Sequence, residues 1–213
     1  MNYGECRDKS LQLINQYSIT GQPIPAAYNN QADYFLRIPG LVNDAQLYIA
    51  ETTLPILATV KLREASDAHA PWGVAYFLPE DFMQEQPGGL RFYWEGRHHN
   101  EMGRSVRYQR FGPNHVCVDI PRGTEVWLEY YRRPKLVPTK PEDTFPLDNT
   151  AAAQHAIPYF VASNLVLYDD AYMSAKLDEK WKEQVAALQP RPQAQNMVVP
   201  DVYGGFGYDM WGW

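Results

Sequence analysis

The apolar period of this chain changes twice, and that change constrains the fold more than any motif does. Residues 1–55 and 146–190 carry apolar side chains at helical spacing, whereas residues 56–138 carry them at strand spacing. In CRDKSLQLINQY, Cys6, Leu13, Ile14 and Tyr17 fall on one helical face, with Asn2 or Tyr3 at its start and GQPIP at its end. In NNQADYFLRIPGLVNDAQLYIAETTLP the pattern recurs, but Pro39 has no N–H to give a helix interior. The spacing therefore predicts a short helix before Pro39 and a longer one with Pro39 near its first position. Leu41, Ala45, Tyr48 and Ile49 share a face of the longer one, which Pro55 stops. Near the other end, Ile157, Val161, Leu165 and Tyr168 form a stripe that Pro158 interrupts. The last helix places Leu177, Trp181, Val185 and Leu188 on one face and Asp178, Glu179, Lys180, Lys182 and Glu183 towards water.

The middle of the chain reads as about six short strands, ATVKLREA, GVAYFLP, LRFYWEG, SVRYQRFG, HVCVDIP and TEVWLEYYRRP, parted by turn formers such as PGG, GPN and PRG. Period two sets Val116, Val118 and Ile120 against Cys117 and Asp119, and Val126, Leu128 and Tyr130 against Trp127, Glu129 and Tyr131. Neither helical part can bury its own faces, so the two must pack on each other. The expected fold is α+β: a helical bundle formed by the N- and C-terminal helices (1–55 and 146–190), with an inserted antiparallel β-sandwich or barrel module (56–138). A proline-rich linker (139–145) and an extended docking tail (191–213) complete it.

Charge and motifs exclude several function classes. The 213 residues carry a formal charge of −6, against a general DNA-gripping surface, although RYQR and YYRRPK are local basic patches. No apolar run approaches the ~20 residues of a membrane span, and the opening MNYGECRDKS does not read as a secretory signal. Cys6 and Cys117 stand apart, outside any C-x-x-C pair, and read as buried structural thiols. Phosphate-cradling and nucleophile-elbow motifs are absent. RHHNE holds His98, His99 and Glu101, the best metal-like cluster, but adjacent histidines on a strand point to opposite faces, and a solvated loop is the plainer reading. Asp67 and His69, near Trp72, read as loop residues. His155 reads as a packed or capping residue, and Asp169 with Asp170 as a cap of the last helix. No catalytic residue, metal site or cofactor is expected.

Aromatic residues are the remaining signal. Among those of the module, Trp72, Trp94 and Trp127 are the candidate partner surface. The terminal DVYGGFGYDMWGW sets Tyr203, Phe206, Tyr208, Trp211 and Trp213 among four glycines, a pattern suited to docking: glycines thread and rings anchor.

Two segments carry a resemblance. DYFLRIPGLVNDAQ (Asp33 to Gln46) and IPYFVASNLVLYDD (Ile157 to Asp170), followed by the amphipathic closing helix, resemble the head-to-tail connector (adaptor) proteins of tailed bacteriophages. YYRRPKLV before a low-complexity crossing also fits, whereas the module has no close match. The resemblance implies a structural virion protein at the head–tail interface, assembled in the bacterial host cytoplasm. It implies a ring, usually of twelve copies, that binds the portal protein and neighbouring copies, holds tail nozzle or fibre proteins, and lets DNA pass without sequence-specific binding. Two other readings compete: a carbohydrate-binding tail or fibre component using the module's aromatics, and a hydrolase using His98, His99 and Glu101.

Overall fold

In the computed structural model, which describes residues 1–14, 31–65, 72–86, 90–94 and 107–188, the chain opens with a reciprocal cap. The Asn2 side chain accepts from the Glu5 N–H at 2.8 Å, and the Glu5 carboxylate accepts from the Asn2 N–H at 3.0 Å. Two orphan donors are satisfied, and α1 (Tyr3–Leu13) starts there. Helix α2 (Gln31–Thr52) runs through Pro39 without a break, contrary to the expectation of two helices. A proline inside a helix costs about 3 kcal/mol, through a lost hydrogen bond and the clash of its ring with the preceding turn. Tyr34, Ile38, Val42, Ala45 and Ile49 are buried on both sides of the proline, and each large apolar side chain so buried contributes about 1.5–3 kcal/mol. Packing therefore outweighs the local penalty. The buried face differs slightly from the expected one, since Tyr48 is half exposed and reaches the Trp181 ring at 6.0 Å.

The chain then enters the sheets: β1 (Ile56–Lys61), β2 (Arg63–Glu64), β3 (Val74–Phe77), β4 (Phe82–Gln84), β5 (Arg91–Trp94), β6 (Tyr108–Phe111), β7 (His115–Val118) and β8 (Val126–Arg132). All pairings are antiparallel. One sheet centres on β8, with β1 on one side and β4 and β5 on the other; the second has the order β2-β3-β7-β6. Leu62, Val74, Tyr76, Val116, Val118, Val126, Leu128 and Tyr130 share one apolar cluster drawn from both sheets. In β8 the expected alternation holds, with Val126, Leu128 and Tyr130 buried. In β7 it does not, because Cys117 is as fully buried as Val116 and Val118. The β4 strand, three residues with a register shift, is too short to show a period.

The first and last strands lie side by side, since Ile56 pairs with Arg132 across β1 and β8. After β8 the chain becomes a belt laid along the helices. Asn43 brackets Val137, accepting from its N–H at 2.7 Å and donating to its carbonyl at 2.9 Å. Farther on, the Tyr3 and Gly4 N–H groups donate to the carbonyls of Phe145 and Asp143 at 2.8 and 2.9 Å. Arg7 forks onto the Asp143 carboxylate.

Three helices follow: α3 (Ala151–Gln154), α4 (Ile157–Leu165) and α5 (Ala171–Leu188). Pro158 lies in the first turn of α4, where a missing N–H costs nothing. Ile157, Val161 and Leu165 are buried as expected, but Tyr168 is 87% exposed because α4 has already ended. In α5, Leu177, Trp181 and Val185 are buried. The Asp170 carboxylate accepts from the Met173 N–H at 2.9 Å, the expected cap, while Asp169 accepts from the Tyr34 hydroxyl at 2.7 Å. Residues from α1, α2, the belt, α3, α4 and α5 make a second apolar cluster, drawn from both ends of the chain.

A polar junction ties the two clusters. The Arg132 guanidinium meets the Asp148 carboxylate through two hydrogen bonds, 2.5 and 2.8 Å. The same carboxylate accepts from the Lys135 N–H at 2.7 Å, and the Asp148 N–H donates to Gln46 Oε1 at 3.1 Å. A β8 residue is thus linked through the belt to α2.

Two outcomes are expected. A Cβ at Gly4 would lie 2.9 Å from Asp143 Cβ and 3.1 Å from its carbonyl oxygen, whereas one at Gly40 would meet nothing within 4 Å. Chemical denaturation should show Gly4→Ala losing about 1–3 kcal/mol and Gly40→Ala gaining about 0.5–1 kcal/mol. At the junction, the Arg132 guanidinium holds the Asp148 carboxyl below its ordinary value, against the opposing effect of burial and with help from the Lys135 N–H. A folded pKa below the unfolded one gives stability that is present above the unfolded value and lost as pH falls through the folded value. Asp148→Asn should therefore cost on the order of 1–3 kcal/mol at pH 7, and the gap from the parent should shrink in denaturation series below about pH 4.

Candidate functional site

Side-chain chemistry has little to work with among the described residues. No group of three or more His, Cys, Asp or Glu side chains there could hold a metal ion. Cys6 and Cys117 are free and buried in different apolar environments. Burial pushes the Cys6 thiol up to about 12, against a smaller opposing effect of the Ser10 hydroxyl, and raises the Cys117 thiol as well. Both shifts disfavour the thiolate form a nucleophile needs. His155 is the exposed C-cap residue of α3, not a packed one. Asp67, His69, His98, His99 and Glu101 lie outside the described residues.

The three candidate tryptophans do not form one surface. Trp72 is half buried ahead of β3; the Arg107 guanidinium covers its ring 4.8 Å from the centroid, and its indole N–H donates to Gln109 Oε1 at 3.2 Å. One face of that ring is already taken by its own chain. Trp127 stands on the other sheet, 41% exposed, on the side of β8 turned away from the shared cluster. Its strand partner on β1 is Lys61, and four residues along β8 Tyr131 pairs with the exposed Leu57. Trp94 lies in β5 opposite Val126, and its side chain is outside the described residues. The tail anchors Tyr203, Phe206, Tyr208, Trp211 and Trp213 are also outside them.

Further exposed apolar side chains lie beside the helices. There the Arg37 guanidinium donates to the Asn164 carbonyl at 3.0 Å, and the Tyr34–Asp169 bond joins α2 to the turn between α4 and α5. Leu167, Tyr168 and Tyr172 stand exposed around this turn, with the Lys176 ammonium 4.4 Å from the Tyr172 ring centroid, and Leu36 is exposed on α2. Exposed large apolar side chains are available for contact with another molecule. Sequence reasoning missed Tyr168 because it placed it on a buried stripe; the end of α4 at Leu165 turns it outward. The signal was present in YDDAY, where two tyrosines flank a helix cap and so cannot follow the helix's own period.

What the residues offer is exposed apolar side chains on two unlike parts of the chain: Leu57 and Trp127 on a sheet face, and Leu167, Tyr168 and Tyr172 beside the helices. The chain matches no known protein family and no curated protein.

Both thiols should be silent to Ellman's reagent in the native protein at pH 8 and should react fully, two per chain, in denaturant. Rapid reaction of either in the native state would contradict the burial described.

Proposed function

We propose that this chain is a structural subunit of a virion, a head-to-tail adaptor that forms a ring below the portal, extends the DNA channel and docks tail nozzle or fibre proteins. In this reading the helices are one bundle built from both chain ends, the two sheets are an inserted sandwich, and residues 191–213 are the docking tail. The observation that carries it is that exposed large apolar side chains occur on two unlike parts of the chain, Leu167, Tyr168 and Tyr172 beside the helices and Leu57 and Trp127 on a sheet face, with the Arg132–Asp148–Gln46 junction linking sheet to helix. A ring subunit needs two unlike surfaces that meet head to tail and close. The adaptor resemblance of Asp33–Gln46 and Ile157–Asp170 adds to this, since these segments supply α2 and α4. The net charge of −6 suits a channel through which a polyanion must slide without sticking. Sugar binding by the module has less support, because Arg107 already occupies a face of Trp72.

Co-expression with the portal protein of the same virus tests the proposal. Native mass measurement should show a portal complex carrying a ring of this chain. Deletion of residues 196–213 should leave the helical circular dichroism signal and cooperative unfolding intact and abolish that complex. Failure of the full chain to associate with portal would remove the adaptor reading; normal assembly of the truncated chain would remove the docking role of the tail.

A further inference from the structure

Between the two sheets lies a groove of about 750 Å³ with a mixed lining in which Val60, Leu62 and Phe82 supply apolar surface. Four cations line it, Lys61, Arg63, Arg110 and Arg133, against one carboxylate, Glu80. In a chain of charge −6 this is a local excess of positive charge. Lys61 is paired with Glu125, and Arg110 lies 3.8 Å from Glu85. Arg63 and Arg133 are exposed and meet no carboxylate among the described residues. Two guanidiniums are stacked on rings, Arg63 at 4.7 Å from the Phe77 centroid and Arg110 at 5.1 Å from that of Phe82. Stacking covers one guanidinium face and leaves the in-plane N–H donors for an incoming carboxylate.

We propose that this groove receives residues 201–213 of a second copy of the chain, an inference that rests on the ring-forming reading above. The segment DVYGGFGYDMWGW carries two carboxylates, Asp201 and Asp209, and no Lys or Arg. Arg63 and Arg133, which meet no carboxylate among the described residues, complement the two negative charges of this segment. Its large rings can pack against Val60 and Phe82, and its four glycines allow a backbone to approach closely. Helix α5 ends at Leu188, and 25 residues of the sequence follow it. Fully extended, that length spans up to about 80 Å, enough to reach a neighbouring copy. A nucleic acid fits the groove less well. Phosphates would meet Glu80, two of the four cations are engaged by carboxylates, and the whole chain repels a polyanion.

The full-length chain carrying photoreactive p-benzoylphenylalanine in place of Phe206 tests this. Irradiation should give an adduct of twice the chain mass, with the cross-linked peptide mapping within residues 60–83 or 110–114. The yield should fall on dilution, and about tenfold when both arginines are reversed (Arg63→Glu with Arg133→Glu), as expected from losing two interfacial charge pairs. Both positions are on the surface, and an unchanged thermal transition will show the double variant folded. An adduct of single-chain mass, attachment elsewhere, no adduct, or a yield insensitive to the reversal would overturn the proposal. So would a labelled single-stranded oligonucleotide that binds the parent, not the reversed variant, and blocks no cross-link. The two readings fail separately: cross-links outside the groove in a chain that still joins portal remove only this inference, whereas a parent that never joins portal removes the adaptor reading.

Discussion

The Arg132–Asp148 pair sits where two structures of different character meet. On one side β8 holds the centre of a sheet, and on the other the belt lies against α2. Each side chain is only about a fifth exposed, 20% for Arg132 and 17% for Asp148, so the ion pair gives up hydration when it forms. Such pairs contribute modest net stability, because desolvation offsets much of the Coulomb attraction. Their geometric effect is larger. A guanidinium forked onto a carboxylate has one good orientation, and the same carboxylate is also fixed by the Lys135 N–H. The hydrophobic clusters on either side supply cohesion; the junction supplies alignment.

Alignment matters most for a protein whose surfaces must meet other molecules. The Leu57–Trp127 face belongs to the sheet that Arg132 terminates, and Leu167, Tyr168 and Tyr172 lie beside the helices that Gln46 and Asn43 join to the belt. In the ring proposed above, a small angular error between two contact surfaces would be repeated at each subunit. A belt pinned at Val137, Asp143, Phe145 and Asp148 would limit that error more than a free linker.

The sequence showed the parts better than the joints. Helix α5 was legible because Leu177, Trp181 and Val185 repeat at four-residue spacing and the opposite face is charged. Strand β8 was legible because its two faces have different surroundings. Pro39 misled, since the rule it invokes is local and the burial of Ile38 and Val42 that overrides it is not. Cys117 broke the alternation of β7 because both faces of that strand are covered, and a period appears only when one face is wet. The belt was hidden for a different reason. Its partners are polar groups over ninety residues away, Asn43 for Val137 and Gln46 for Asp148, and no periodicity encodes such a pairing. YYRRPK was noticed as a run of charge, but only the fold shows that Arg132 is paired while Arg133 beside it lines a groove. Most of the tail and loop residues singled out from the sequence lie outside the described residues, and of the three tryptophans Trp72 is covered by Arg107 while Trp127 is exposed on the other sheet.

The pairing of Ile56 with Arg132 has a consequence for how the molecule comes together. Helices α1 and α2 must find α4 across the intervening strands, and closing so long a loop carries an entropic cost that grows with its length. Once β1 lies against β8, the chain that still separates the helices shortens to the few residues before β1 and the belt and α3 after β8. Helices ordinarily assemble quickly because their contacts are local, while sheets with distant partners are slow. The β1–β8 pairing lowers the closure cost that the contacts between the two helical parts would otherwise carry.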